Sequence, residues 1–220
     1  TALPLPVESQ TEVQVLSQEP EYLFGSEMRF QASIQSSEPV SKALLLTQPM
    51  GGAELQVTQA SIDAQGNTQA VLDLSDSPWR AFSSVEYWYQ VTLQSGKTYT
   101  SPKVPFFYED NRFQWESLES AQFIAHWYAG DLTFAQDVLS TAQAGLQRAQ
   151  EIFPQVLAPE PVQIYVYDDI QQLQEALARP IQSWVAGHAD PDLGVILVSL
   201  PPGPDQHERA EPDELPAHEE

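Results

Sequence analysis

The residues best suited to chemistry stand at the end of the chain. His218-Glu219-Glu220 has the form of the first three places of a His-Glu-x-x-His helix. In that motif two histidines one turn apart bind zinc, and the glutamate between them deprotonates the bound water. Glu220 would be the first x, and the second histidine would fall two places past the last residue. A second His-Glu pair, His207-Glu208, runs on into Arg209-Ala210-Glu211 and does not continue the pattern. The other histidines are His126 and His188. No two of the four stand three or four places apart, so no complete helical His-x-x-x-His pair is present. There is no cysteine, which removes thiolate zinc sites, disulfide scaffolds and cysteine nucleophiles. No Gly-x-Ser-x-Gly elbow and no Gly-x-x-x-x-Gly-Lys-Ser/Thr loop occurs. Asp168-Asp169 and Asp190-Pro191-Asp192 have the paired carboxylates of a glycosidase or calcium site. In a chain with 31 acidic residues such pairs come without selection, so Asp168 is read as a helix cap and Asp190 with Asp192 as a hairpin turn.

Charge narrows the partners. Nine Lys and Arg stand against 31 Asp and Glu, a formal net charge of −22 over 220 residues. Neutralising phosphates takes clustered cations, so nucleic acid and anionic membrane surfaces are excluded as partners. No apolar run approaches the roughly 20 residues of a membrane span. Few lysines, high acidity and abundant strand signals fit an exported, extracellular or cell-surface protein. A start at Thr1 rather than Met suggests a processed product. The charge is uneven: residues 1–110 carry a net −8 and residues 111–220 a net −14.

Three regions must position these groups. Over residues 1–110, Glu27–Gln35 alternates with Met28, Phe30, Ala32 and Ile34 on one face, and Val85–Leu93 alternates as cleanly. A period of two marks strands buried on one side of an antiparallel sheet. Shorter candidates are Glu12–Leu16, Ala43–Thr47, Glu54–Ile62, Thr68–Leu74 and Val104–Tyr108, divided by turn signals such as Gln65-Gly66-Asn67 and Ser95-Gly96-Lys97. Seven short strands predict an all-β sandwich of immunoglobulin or fibronectin III type. Over residues 111–200, two short strands, Trp115–Leu118 and Gln122–Tyr128, precede apolar residues at helical spacing from Leu132 to Phe153, with Thr133 and Gln136 as a capping box. Strand Val162–Tyr167, a short helix begun by Asp168, and strands Trp184–Ala189 and Gly194–Leu200 complete a β-β-α-β-α-β-β order. That order predicts a small α+β domain, a mixed sheet with helices on one face. Residues 201–220, opened by Pro201-Pro202-Gly203-Pro204, read as an acidic, mobile tail.

From about Tyr87 onward the order of short segments resembles the peptidase MA-like family, gluzincin (thermolysin-like) zinc metallopeptidases preceded by an immunoglobulin-like domain. The segments are Tyr87–Leu93, Phe107–Trp115, His126-Trp127-Tyr128-Ala129-Gly130-Asp131, the long helix, Val162–Tyr167, Val185–Ala189, Gly194–Val198 and Leu215–Glu219. The resemblance implies that residues 111–200 are part of the N-terminal lobe of the peptidase domain and that residues 201–220 lead into its zinc-binding helix. It makes His218 a zinc ligand and Glu219 the catalytic base. It makes Gly187, His188 and Ala189 a sheet-edge strand that aligns a peptide or protein substrate. The third ligand and second histidine have no counterpart, so the intact protein would hydrolyse peptide bonds with zinc while this chain is expected to be inactive. The competing expectation is a non-enzymatic extracellular binding or adhesion module built on the sandwich. A third is a remnant that binds peptides without cleaving them.

Overall fold

The structure, a computed structural model, describes residues 13–49, 54–153, 161–178, 187–191 and 193–201. Most of the regular structure is β, with two helices. The chain divides into two compact units, Thr1–Arg112 with Ala176–Ala178, and Phe113–Glu175 with Arg179–Glu220.

The first unit is antiparallel throughout. Its strands are β1 (Val13–Ser17), β2 (Glu21–Tyr22), β3 (Glu27–Ser36), β4 (Val40–Pro49), β5 (Gln56–Ile62), β6 (Asn67–Asp73), β7 (Ser83–Leu93), β8 (Thr98–Thr100) and β9 (Val104–Tyr108). Pairing runs β1-β3-β6-β5-β4-β7-β8, with β2 also on β3 and β9 also on β7. Strand β5 passes between two layers: Gln56–Ala60 pairs with β4, whereas Ser61 and Ile62 pair with β6. The alternation read from the sequence explains the core. Met28, Phe30, Ala32 and Ile34 of β3 are buried, as are Val85, Tyr87, Tyr89, Val91 and Leu93 of β7 and Ala43 and Leu45 of β4. Nine strands are found where seven were expected. Strands β2 and β8, of two and three residues, are too short to show a period.

Trp88 stands on the face of β7 opposite Tyr87 and Tyr89, yet is only 9% exposed. The Lys103 ammonium lies 4.6 Å over its ring and bonds Glu86 at 2.7 Å, so the lysine stem covers the indole.

The last residues of this unit are stitched to the segment after β2. Asn111 donates from Nδ2 to the Tyr22 carbonyl at 2.7 Å, and its Oδ1 accepts from Phe24 N–H at 2.8 Å. The Tyr108 hydroxyl accepts from Gly25 N–H at 2.9 Å, and burial pushes that phenol up to about 12. Arg112 grips fully buried Asp110 through Nε and Nη2 at 2.8 and 2.7 Å, and its guanidinium lies 4.9 Å over the Phe24 ring.

The second unit holds a five-stranded sheet in the order β10-β11-β12-β14-β13. These are β10 (Glu116–Glu119), β11 (Phe123–Trp127), β12 (Val162–Tyr167), β13 (Gly187–Asp190) and β14 (Val195–Ser199). Strands β11, β12 and β14 run parallel, and β10 and β13 close the two edges antiparallel. Helix α1 (Leu132–Ile152) follows β11, and α2 (Ile170–Ala176) follows β12. Phe134, Ala135 and Val138 of α1 pack on Phe123, Ala125, Trp127, Ile164 and Val166, one face of the sheet. Among the described residues no helix is long and apolar enough to cross a membrane.

Both expected helix caps move by one or two residues. The first residue of α1 is Leu132, so Thr133 already lies inside the helix and cannot cap it. Asp131, in extended backbone at φ −119° and ψ −178°, accepts from Phe134 N–H at 3.0 Å. At α2 it is Asp169, not Asp168, whose carboxylate accepts from Gln171 and Gln172 N–H at 2.7 and 3.2 Å.

Candidate functional site

Three of the five residues singled out for function, Gly187, His188 and Ala189, form most of β13. His218 and Glu219, with the whole of 202–220 and with Trp184–Ala186, lie outside the described residues. The register puts β13 on the sheet unambiguously. Gly187, His188, Ala189 and Asp190 stand opposite Val198, Leu197, Ile196 and Val195. Among the described residues no strand pairs with the far side of β13. In an antiparallel ladder alternate residues turn their N–H and C=O to opposite edges. Half of this strand's backbone groups therefore point away from β14, where a further strand would bond them.

The two edges of the sheet are built differently. Strand β10 carries exposed Glu116 and Glu119, charges that discourage a strand from docking there. Strand β13 reads Gly-His-Ala-Asp, with its first three residues exposed. Gly187 is closely packed: a Cβ there would stand 3.1 Å from Val198 Cγ1 and 3.4 Å from the Leu197 carbonyl oxygen. Asp190 ends the strand and accepts from Leu193 N–H at 3.2 Å. It thus supports the hairpin turn as the sequence suggested, while Asp192 lies outside the described residues.

The sheet face opposite α1 holds the chemistry that spacing alone did not reveal. His126, Tyr165, Leu197 and His188 form one lateral row across β11, β12, β14 and β13. Three strand spacings separate the two histidines, about 14 Å, so they cannot share a metal ion. His126 instead stacks on Tyr165 at 4.3 Å between centroids, with its Nε2 2.6 Å from Gln163 Oε1. His126 is thus a stacked and hydrogen-bonded side chain of the sheet. Trp115 meets Tyr165, Tyr167 and Tyr128 edge-on at 5.0 to 5.4 Å, and Phe113 stacks on Tyr128 at 4.1 Å. The Tyr128 hydroxyl lies 2.6 Å from Asp168 Oδ1, accepts from Asp168 N–H at 3.0 Å, and touches Gln172 Oε1. Asp168 is thereby spent on orienting Tyr128, which removes it as an acid–base candidate. The Phe113, Trp115 and Tyr128 positions carried the resemblance, and here they serve packing.

Among the described residues no group of three or more His, Cys, Asp or Glu could hold a metal ion. Catalytic zinc takes three protein ligands, and the described residues do not supply them.

No family model matches the chain, and no curated protein matches it. Solved structures similar to it include a carbohydrate-binding module family 56 β-1,3-glucan binding domain, 11% identical with a TM-score of 0.29, covering 44% of this chain and 99% of that one. The sensor domain of the anti-sigma factor RsgI4 of Pseudobacteroides cellulosolvens is 12% identical with a TM-score of 0.33, covering 46% and 98%. A cycloalternan-degrading enzyme of Trueperella pyogenes is 17% identical with a TM-score of 0.32, covering 46% and 13%. At such values these likenesses carry no functional argument.

Proposed function

We propose that the second unit is the substrate-aligning sheet of an exported zinc metallopeptidase of gluzincin type, and that the first unit is a fibronectin III-like sandwich preceding it. The observation that carries the reading is the place of β13, last in the strand order of the sheet. A short antiparallel strand lies outermost beside the parallel strands β11, β12 and β14, and no strand among the described residues pairs with its far side. The resemblance drawn from the sequence gives this same segment the task of pairing with a peptide backbone, and places His218 and Glu219 downstream of it. Main-chain bonds to such an edge would supply affinity and side-chain neighbours the selectivity. The finer description of the sandwich rests on its strand order. Strands β1, β2, β3 and β6 form one layer and β4, β7, β8 and β9 the other, with β5 bonded to both.

Zinc would supply activated water in the intact protein, with His218 as a ligand and Glu219 as base. This chain, holding neither the second histidine nor a third ligand at the motif's spacing, is expected to bind zinc no more tightly than an adventitious site and to hydrolyse nothing. The test is the reading frame of the parental gene beyond Glu220. His at the second following codon, with a glutamate further along a helical pattern, is the expected continuation. A stop codon, or another residue at that place, overturns the peptidase reading and favours a binding module built on the sandwich.

A further inference from the structure

We infer that residues 22–25 form a latch over residues 108–112, held shut by Asn111, and that it opens as one piece while the sandwich stays folded. This goes beyond the function proposed above and does not depend on it. The two segments belong to different layers. Residues 22–25 follow from β2, which pairs with β3, and residues 108–112 follow from β9, which pairs with β7. Among the described residues no ladder joins β2 to β9. Hydrogen bonds with a side chain at one end join them instead. Asn111 donates to the Tyr22 carbonyl and accepts from Phe24 N–H. The Tyr108 hydroxyl accepts from Gly25 N–H, and the Tyr22 hydroxyl accepts from Glu109 N–H, both at 2.9 Å. One amide side chain thus stands in for the donor and acceptor pair that a neighbouring strand would offer.

Rings fill the seam. Tyr22 and Phe24 lie 5.0 and 5.2 Å from Tyr108 between centroids, and Phe24, Tyr108 and Asp110 are buried. The Arg112 guanidinium, gripped by Asp110, closes over Phe24. These contacts need both segments in place, so they form and break together. Strands β3 and β7 are bonded along both of their sides, and those ladders do not pass through the latch. Opening it therefore takes less free energy than unfolding the sandwich. The second unit begins at Phe113. The latch thus sets whether the residues just before it belong to the sandwich or form a free tether.

Amide hydrogen exchange of the full chain, followed by NMR, tests this. The amides of Phe24, Gly25 and Glu109 are expected to share one opening equilibrium. Corrected for intrinsic rates, they should exchange about tenfold or more faster than the ladder amides between β4 and β7. Gly66→Ala strains a turn that stays folded when the latch opens. It should speed the ladder amides about tenfold and leave the three latch amides unchanged. Low urea on the unmutated chain should do the same, because little surface is exposed by the latch. Latch amides that speed up by the same factor as the ladder, in either case, would show that they open only with the whole sandwich and would overturn the inference. Asn111→Ala should speed Gly25 and Glu109, which Asn111 does not bond, by the same factor as Phe24, about fivefold or more. A change at Phe24 alone, or three unrelated rates in the unmutated chain, would mean separate fluctuations and no latch.

Discussion

Gly66 sits at φ +86°, and a Cβ on it would lie 2.2 Å from the Ile34 carbonyl oxygen. The clash is with backbone, which cannot rotate away, and the dihedral itself disfavours any L side chain. Gly66→Ala is expected to cost about 1–3 kcal/mol, read from urea denaturation, and a variant as stable as the parent would contradict the turn geometry. Beside it, Asp63 accepts from Asn67 Nδ2, Asn67 N–H and Gln65 N–H at 2.8 to 2.9 Å. Those bonds, that from the Asn67 side chain first, hold its carboxyl below the usual carboxylate range. A depressed folded value means that the stability it contributes is present above the unfolded pKa. It is lost as pH falls through that value toward the folded one. Asp63→Asn should therefore be the less stable protein at pH 7, and the gap to the parent should narrow by pH 3. An unchanged gap would count against the assignment. The turn was legible as Gln65-Gly66-Asn67, because glycine and asparagine mark such turns. Asp63 was not, since one carboxylate among 31 acidic residues carries no signal until its neighbours are placed.

At the scale of elements, period decided what could be read. The clean alternation of Glu27–Gln35 and Val85–Leu93 became β3 and β7, and the apolar spacing from Leu132 became α1, with bounds close to those expected. Caps were misassigned because Asp131, Thr133, Asp168 and Asp169 are all competent capping residues, and only the backbone angle tells which stands at the boundary. Asp131→Ala is expected to destabilise by about 1 kcal/mol in thermal or urea unfolding, while Thr133→Ala stays within about 0.5 kcal/mol of the parent. The opposite order would restore the capping box. Pairing was the least legible feature. Nothing in the composition of Val162–Tyr167 or Val195–Ser199 says that these strands run parallel while Gly187–Asp190 runs against them. That outcome depends on connections, not on side-chain pattern. It alone exposes β13, so the candidate site became visible only with the sheet assembled.

For the whole molecule, charge and the absence of cysteine were legible at once and bounded the partners. The donor set was legible only as a fragment, with His218 and Glu219 suggesting a metal site that the described residues neither complete nor contain. His126 and His188 are close in kind but about 14 Å apart across the sheet, which no spacing rule in the sequence shows. The function proposed here therefore rests on a backbone edge and not on a metal. Backbone amide NMR of the full chain, titrated with a blocked heptapeptide of high strand propensity, tests that directly. Shifts centred on Gly187–Asp190 and their partners Val195–Val198 are the expected result. A titration that leaves those amides unmoved, or moves only residues of the sandwich, would contradict it.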